Sequence, residues 1–241
     1  MNNFYNQLYV YTLYFFKVLK TNKLALIYSA LIPSIMMILQ TNNQPYDETT
    51  LISWLSYMIY INSVSVILEL ADLREQGYLK QYSSIIKSNS IFILSKTIVN
   101  LVVLLLSTVF FFIIASFIYG SLLKMLLFKS LIIELLVFFP LVCLNLVFLA
   151  FRMKIKTINV VGNIIMFILL ILTYLLNSTI FENFMFISLI NPISFISHFF
   201  LVSPLNVRLS QLILNLSIVT ILYLIIGIFS YKNLKILPVE G

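Results

Sequence analysis

The sequence predicts an all-α integral membrane protein with six transmembrane helices. Three observations lead there. The 241 residues are 61% hydrophobic and only 10% charged, against about 25% charged in an ordinary soluble domain, and the mean hydropathy is +1.07. The apolar residues fall in runs suited to a hydrocarbon core of about 30 Å. Lys and Arg collect at the ends of those runs, and on a six-span layout 12 of the 15 fall on one side. That bias makes this side, with both termini, cytoplasmic.

The whole chain reads as one membrane domain, 1–241, with no internal repeat. Residues 1–23 lack the order of a cleavable signal peptide, because Lys17, Lys20 and Lys23 follow the apolar part. Phe4, Leu8, Tyr11, Phe15 and Val18 recur at spacings of three and four. This predicts an interfacial helix with that stripe against lipid. Spans 1 and 2 occupy 24–70. The first, about 24–39, contains Pro33, which removes a backbone hydrogen bond and predicts a kink. The second, about 51–70, is dotted with Ser53, Ser56, Asn62, Ser63 and Ser65. Such side chains face other helices or a cavity, because lipid offers them no partner.

Segment 71–90 interleaves charge with apolar residues and predicts an amphipathic helix at the cytoplasmic surface. Leu79, Tyr82 and Ile86 share one face of it, while Glu75, Lys80 and Lys87 point more outward. Spans 3 to 5 fill 91–176. Span 4 carries Glu134 near its start and Pro140 inside, and span 5 carries Asn159, Gly162 and Asn163. Residues 177–210 hold two apolar pieces, 184–190 and 193–202, each too short to cross. They predict re-entrant or interfacial helices on the outer side. Span 6 and a short cytoplasmic tail complete the chain over 211–241.

Little in the chain points to chemistry of its own. It has no phosphate-binding loop of the Gly-x-x-x-x-Gly-Lys-Ser/Thr type, no His-Glu-x-x-His and no Gly-x-Ser-x-Gly. No metal site, cofactor or nucleic-acid partner is expected, since the single Cys143 sits in an apolar run and the net charge of +7 is spread over span ends. Glu134 is the one carboxylate well inside an apolar context. It lies near enough to the outer end to reach headgroups or Lys129, or to serve in proton or ion coupling. His198, on a stretch of Phe and Leu, reads as a packing residue before a ligand or pH sensor.

The run Leu73-Arg74-Glu75-Gln76-Gly77-Tyr78-Leu79-Lys80-Gln81-Tyr82, followed by Ser83-Ser84 and by Lys96 at the start of span 3, resembles the cytoplasmic loop of ABC-2 type transporter permeases. Asn191-Pro192-Ile193-Ser194-Phe195-Ile196-Ser197 is similar to the Asn-Pro run before the last span of that family. The order of parts along the whole chain agrees as well. One departure is Ile85-Ile86, where the family usually has a Pro shortly after the loop helix.

The resemblance implies that the loop helix is a coupling helix fitting a cytoplasmic ABC ATPase subunit. Glu75, Gln76, Gly77, Leu79 and Tyr82 would form its docking surface, with Arg74 and Lys80 on the rim. It implies a dimer with a second permease copy or a sister permease in a bacterial cytoplasmic membrane. Spans 1, 2 and 5 would line the pathway. Ser56, Asn62, Ser63, Asn159 and Asn163 are the pathway candidates, with helix–helix hydrogen bonds as their alternative role. ATP hydrolysis would belong to the partner, so the chain itself is not expected to be an enzyme. The cargo implied by apolar spans is hydrophobic or amphipathic: a peptide, bacteriocin or toxin, or a drug, ahead of a lipid-linked polymer. The rival class is a non-transporting membrane immunity or scaffold protein.

Overall fold

In the computed structural model, residues 2–21, 23–41, 48–85, 89–119, 123–151, 153–176, 189–202 and 209–234 are described. The described residues are helical and contain no strand. The helices are α1 (Asn2–Thr21), α2 (Lys23–Thr41), α3 (Glu48–Glu75), α4 (Tyr78–Ile85), α5 (Asn89–Tyr119), α6 (Lys124–Asn145), α7 (Val147–Ala150), α8 (Ile155–Leu176), α9 (Pro192–Leu201) and α10 (Leu209–Lys232).

Among the described residues, five helical stretches are long and apolar enough to cross a membrane: Glu48–Glu75, Ser90–Tyr119, Lys124–Ala150, Ile155–Thr173 and Ser210–Lys232. The chain is a multi-pass membrane protein on that evidence. The third stretch joins α6 and α7 across a turn at Leu146, whose N–H still bonds the Val142 carbonyl at 3.0 Å. The predicted first span corresponds to α2, whose described apolar part, Ala30–Leu39, is shorter than a span.

α3 is the axis of the bundle and packs against α2, α4, α5, α6, α7, α8 and α9. Two-thirds of its apolar stretch is buried (67%), against 17% for α8 and 28% for α10. Of its polar residues Ser56, Asn62 and Ser63 are interior, whereas Ser53 is exposed. α10 rests on α6 and α7, and α8 touches α3 and α9. The α6–α10 contact is close enough that a Cβ on Gly227 would lie 2.5 Å from the Cβ of Cys143 and 3.0 Å from its Cα.

Two expectations are corrected here. The predicted lipid-facing stripe of α1 instead packs largely on α5. The Phe15 and Phe92 rings lie 4.9 Å apart and those of Tyr11 and Phe92 5.9 Å apart, and the Ser95 hydroxyl donates to the Leu8 carbonyl at 3.3 Å. Phe4 and Val18 at the ends of the stripe stay exposed, as do Tyr5, Tyr9, Val10, Leu13 and Tyr14. They suit a helix half-sunk in an interface. Second, the helix that carries span 2 does not stop near Leu70 before a separate helix across 71–90. α3 runs on as helix through Asp72 and Arg74 to Glu75. It stops at Gln76-Gly77, where Gly77 takes φ +77°, a left-handed conformation that only Gly adopts without strain.

α9 enters the bundle. Leu189, Ile193, Phe195 and Ile196 are buried, and the Tyr223 hydroxyl of α10 donates to the Ile190 carbonyl at 2.9 Å. Asn191 caps its start, accepting from the Ile193 N–H at 3.0 Å, with Pro192 in the first turn. Both features are standard helix-start chemistry. The other short piece, 184–190, lies outside the described residues except for Leu189 and Ile190.

Candidate functional site

The C-terminal end of α3 meets the corner between α7 and α8. α3 delivers Arg74 and Glu75 as its last two residues. Arg74 is fully buried. Its guanidinium donates from Nη1 to the carbonyls of Leu149 (3.4 Å) and Phe151 (3.3 Å), and from Nη2 to that of Met153. These carbonyls end α7 and enter the turn beyond it, so no helical N–H can satisfy them. A planar fork of five donors suits such a fan of acceptors, and a positive charge suits a helix C-terminus. Glu75 does the reverse with Oε1, which accepts from the Ile155 N–H in the first turn of α8. A carboxylate suits that end. One dipeptide thus caps the end of one helix and the start of the next.

This corrects the expected docking surface. Arg74 is not on a solvated rim, and Glu75 is turned toward α8. Leu79, in the second position of α4, is buried against the bundle, as an apolar residue facing α3 must be. The exposed side chains around the Gly77 turn are Gln76, Tyr78, Lys80 and Gln81. Gln76 donates from Nε2 to Asp72 Oδ2 at 2.8 Å. The Tyr82 side chain lies outside the described ones. α4 is described as far as Ile85, and Lys87 lies outside the described residues.

A second polar cluster ties α1, α3 and α5 together at the same end. Lys96 forms an ion pair with Glu69 and lies 4.8 Å from the centroid of the Phe15 ring. Asn100 donates to Glu69 at 3.5 Å and to the Lys96 carbonyl at 3.3 Å. A cation over an aromatic face gains electrostatically when water is excluded, and Lys96 is only 7% exposed. A small cavity of about 140 Å³ borders this cluster, lined by Tyr14, Phe15, Val18, Glu69, Asp72 and Lys96 among others.

The five pathway candidates separate into two groups. Ser56, Asn62 and Ser63 are buried inside α3's packing. Asn62 donates to the Met58 carbonyl at 2.8 Å, and Ser63 donates to that of Tyr60 at 2.6 Å while accepting from Asn145 of α6 at 3.0 Å. Among the described residues Ser56 Oγ has no partner. Asn159 and Asn163, by contrast, are exposed one turn apart on α8. The structure therefore does not bring the five together around one channel within the chain.

Glu134 sits about 15 Å along α6 from Lys124, at 1.5 Å per residue, and is fully buried. Thr108 of α5 donates to its Oε1. Oε2 finds no donor among the described residues. Lys129 does not reach it and donates instead to the Phe200 carbonyl at the end of α9. His198 Nδ1 lies 2.7 Å from the Ser194 carbonyl. Burial pushes this imidazole below its ordinary pKa, and the carbonyl contact works the other way. Among the described residues no three His, Cys, Asp or Glu side chains gather where a metal could be held.

Sequence reasoning singled out Arg74 and Glu75 but aimed them outward, and it missed Gly227, Asn145 and Thr108. Asn145 was findable as an amide in an apolar run. Gly227 carried no local signal, because what it needs is the absence of a Cβ opposite Cys143. The chain matches no family model, no curated protein and no solved structure.

Proposed function

We propose that the chain is the permease subunit of an ATP-binding cassette exporter, working with a separate cytoplasmic ATPase and moving a hydrophobic or amphipathic cargo across a bacterial cytoplasmic membrane. The observation that carries this reading is the break at Gly77. It turns the chain from the central span into a short separate helix, α4, at the end of the bundle where Arg74 and Glu75 lie. That is what a coupling element needs: one face held by the bundle through Leu79 and another, with Tyr78, Lys80 and Gln81, turned away from it. The chain's lack of a phosphate-binding loop supports placing ATP hydrolysis on a partner.

Three further proposals follow from the same reading. The termini and α4 face the cytoplasm, as the Lys and Arg distribution supports. α2 completes six spans. A second permease covers part of α8, whose exposed amides at Asn159 and Asn163 are poorly served by lipid.

The test is purification of the full-length protein in mild detergent from its native membrane. Co-purifying ATP hydrolysis that is weakened by Gly77→Val, with insertion unchanged, is the expected result. If no ATP hydrolysis accompanies the protein, the transporter reading fails and the scaffold or immunity reading takes its place.

A further inference from the structure

The Arg74–Glu75 pair does more than close two helix ends, because the three elements it joins are distant in sequence. Arg74 reaches 75 to 79 residues ahead to Leu149, Phe151 and Met153, and Glu75 reaches 80 residues ahead to Ile155. Elsewhere α8 is held on one side: its apolar stretch is 17% buried, and among the described residues its main packing is on α3 and α9, where Asn191 bonds Thr173 and the Leu169 carbonyl. At the same time Glu75 is followed directly by the Gly77 turn and α4, and the Gly77 N–H bonds the Arg74 carbonyl at 3.1 Å. α4 and the start of α8 are thus tied to the same two residues.

We infer that Arg74 and Glu75 are positioning residues: a two-ended clamp that makes α4, the C-terminal end of α3 and the α7–α8 corner move as one body. A displacement applied at α4 then reaches α8 directly, without passing through the packing of α3. α8 is the helix that exposes Asn159 and Asn163, so the clamp links the exposed helix at the end of the bundle to the span with the least intrachain support. The chemistry sets which replacements work. Glu75 needs only an acceptor for the Ile155 N–H, so an amide oxygen can replace the carboxylate. Arg74 must reach three carbonyls from one planar group, which a single ammonium does with worse geometry. The use of this clamp in coupling rests on the proposed role of α4, but the clamp itself does not.

The test uses the full-length protein in lipid nanodiscs without any partner, so its outcome is independent of the ATPase question. Spin labels at Gln81→Cys on α4 and Val160→Cys on α8, both exposed, report the distance between the two helices, and hydrogen exchange reports the Ile155 amide. The native pair should give one narrow distance and a protected amide. Glu75→Ala and Arg74→Ala should lose the narrow peak, and Glu75→Ala should lose protection at Ile155. Glu75→Gln should restore both readouts, which a mere loss of global stability would not explain. If Arg74→Ala fails to fold, the Glu75→Ala and Glu75→Gln comparison decides alone. A narrow distance retained in Glu75→Ala, or lost equally in Glu75→Gln, overturns the clamp.

Discussion

Gly77 offers the cleanest quantitative test, because its environment separates strain from sterics. Its φ of +77° lies in the left-handed region, and a Cβ built there meets nothing within 4 Å. A side chain at 77 therefore has room, and the cost of adding one is backbone strain alone. For an L-residue that cost is about 1–2 kcal/mol, a factor of about 5–30 in the population of the native turn. Asn tolerates the left-handed region better than Ala, and a β-branched residue tolerates it worst. The order of disruption should be Gly77→Asn, then Gly77→Ala, then Gly77→Val. The readout is hydrogen exchange at Gln81, whose N–H bonds the Gly77 carbonyl at 3.2 Å and opens the hydrogen bonding of α4. Protection there should fall by the same factor of about 5–30 in Gly77→Ala, while protection in the middle of α3 is unchanged. If Ala and Val behave like Gly, the turn does not depend on the left-handed conformation. If Asn is as damaging as Val, size rather than φ governs the site. Either result refutes the reasoning.

Two other perturbations test the packing of the spans. Gly227→Ala should lower the thermal stability of the detergent-solubilised protein by about 1–3 kcal/mol, the usual cost of overpacking, because its Cβ would meet Cys143. Cys143→Ala should give no relief, since it keeps the Cβ that lies 2.5 Å away, whereas Cys143→Gly should restore part of the loss. Thr108→Val removes the one donor that Glu134 has among the described residues and should cost about 1–3 kcal/mol in the same melt, the penalty for a buried group left unpaired. Adding Glu134→Leu to Thr108→Val should recover most of it, because two apolar partners replace a half-satisfied pair; no recovery would mean that Glu134 has another buried partner.

How much of this was legible follows from what each feature depends on. Span positions depend on runs of apolar residues, which are local, and the long helices fall where those runs predict. Charge is a poor mark of where the α3 helix stops. Glu69, Asp72, Arg74 and Glu75 are charged but tolerate helix, and each gains a partner from folding or from a neighbouring turn. The true stop is a conformational one at Gly77. The face of α1 was also read locally: the periodicity correctly grouped Leu8, Tyr11 and Phe15, but periodicity cannot say whether a stripe faces lipid or Phe92 of another helix. Both are apolar, so in a membrane the pattern that marks a core in water loses its meaning.

The same argument explains why burial says so much about α8. In water a helix with 17% of its apolar stretch covered would be driven onto a neighbour by the hydrophobic effect. In lipid the apolar side chains Val160, Ile164, Phe167 and Ile171 lose nothing by remaining exposed. The pressure on α8 comes instead from its polar residues, and Asn159 and Asn163 stand on consecutive turns of the exposed side. Each brings donors and an acceptor that hydrocarbon cannot satisfy. α3 solves the equivalent problem internally, by pairing Ser63 with Asn145 and by returning the Asn62 amide to its own backbone. α8 has no described span beside it to offer such a partner except α3 and the inserted α9, and these take its buried side through Thr173 and the Leu169 carbonyl, both bonded by Asn191. The physical case for another helix packed on α8, or for a water-filled path beside it, is therefore the placement of two amides rather than the extent of the apolar surface around them.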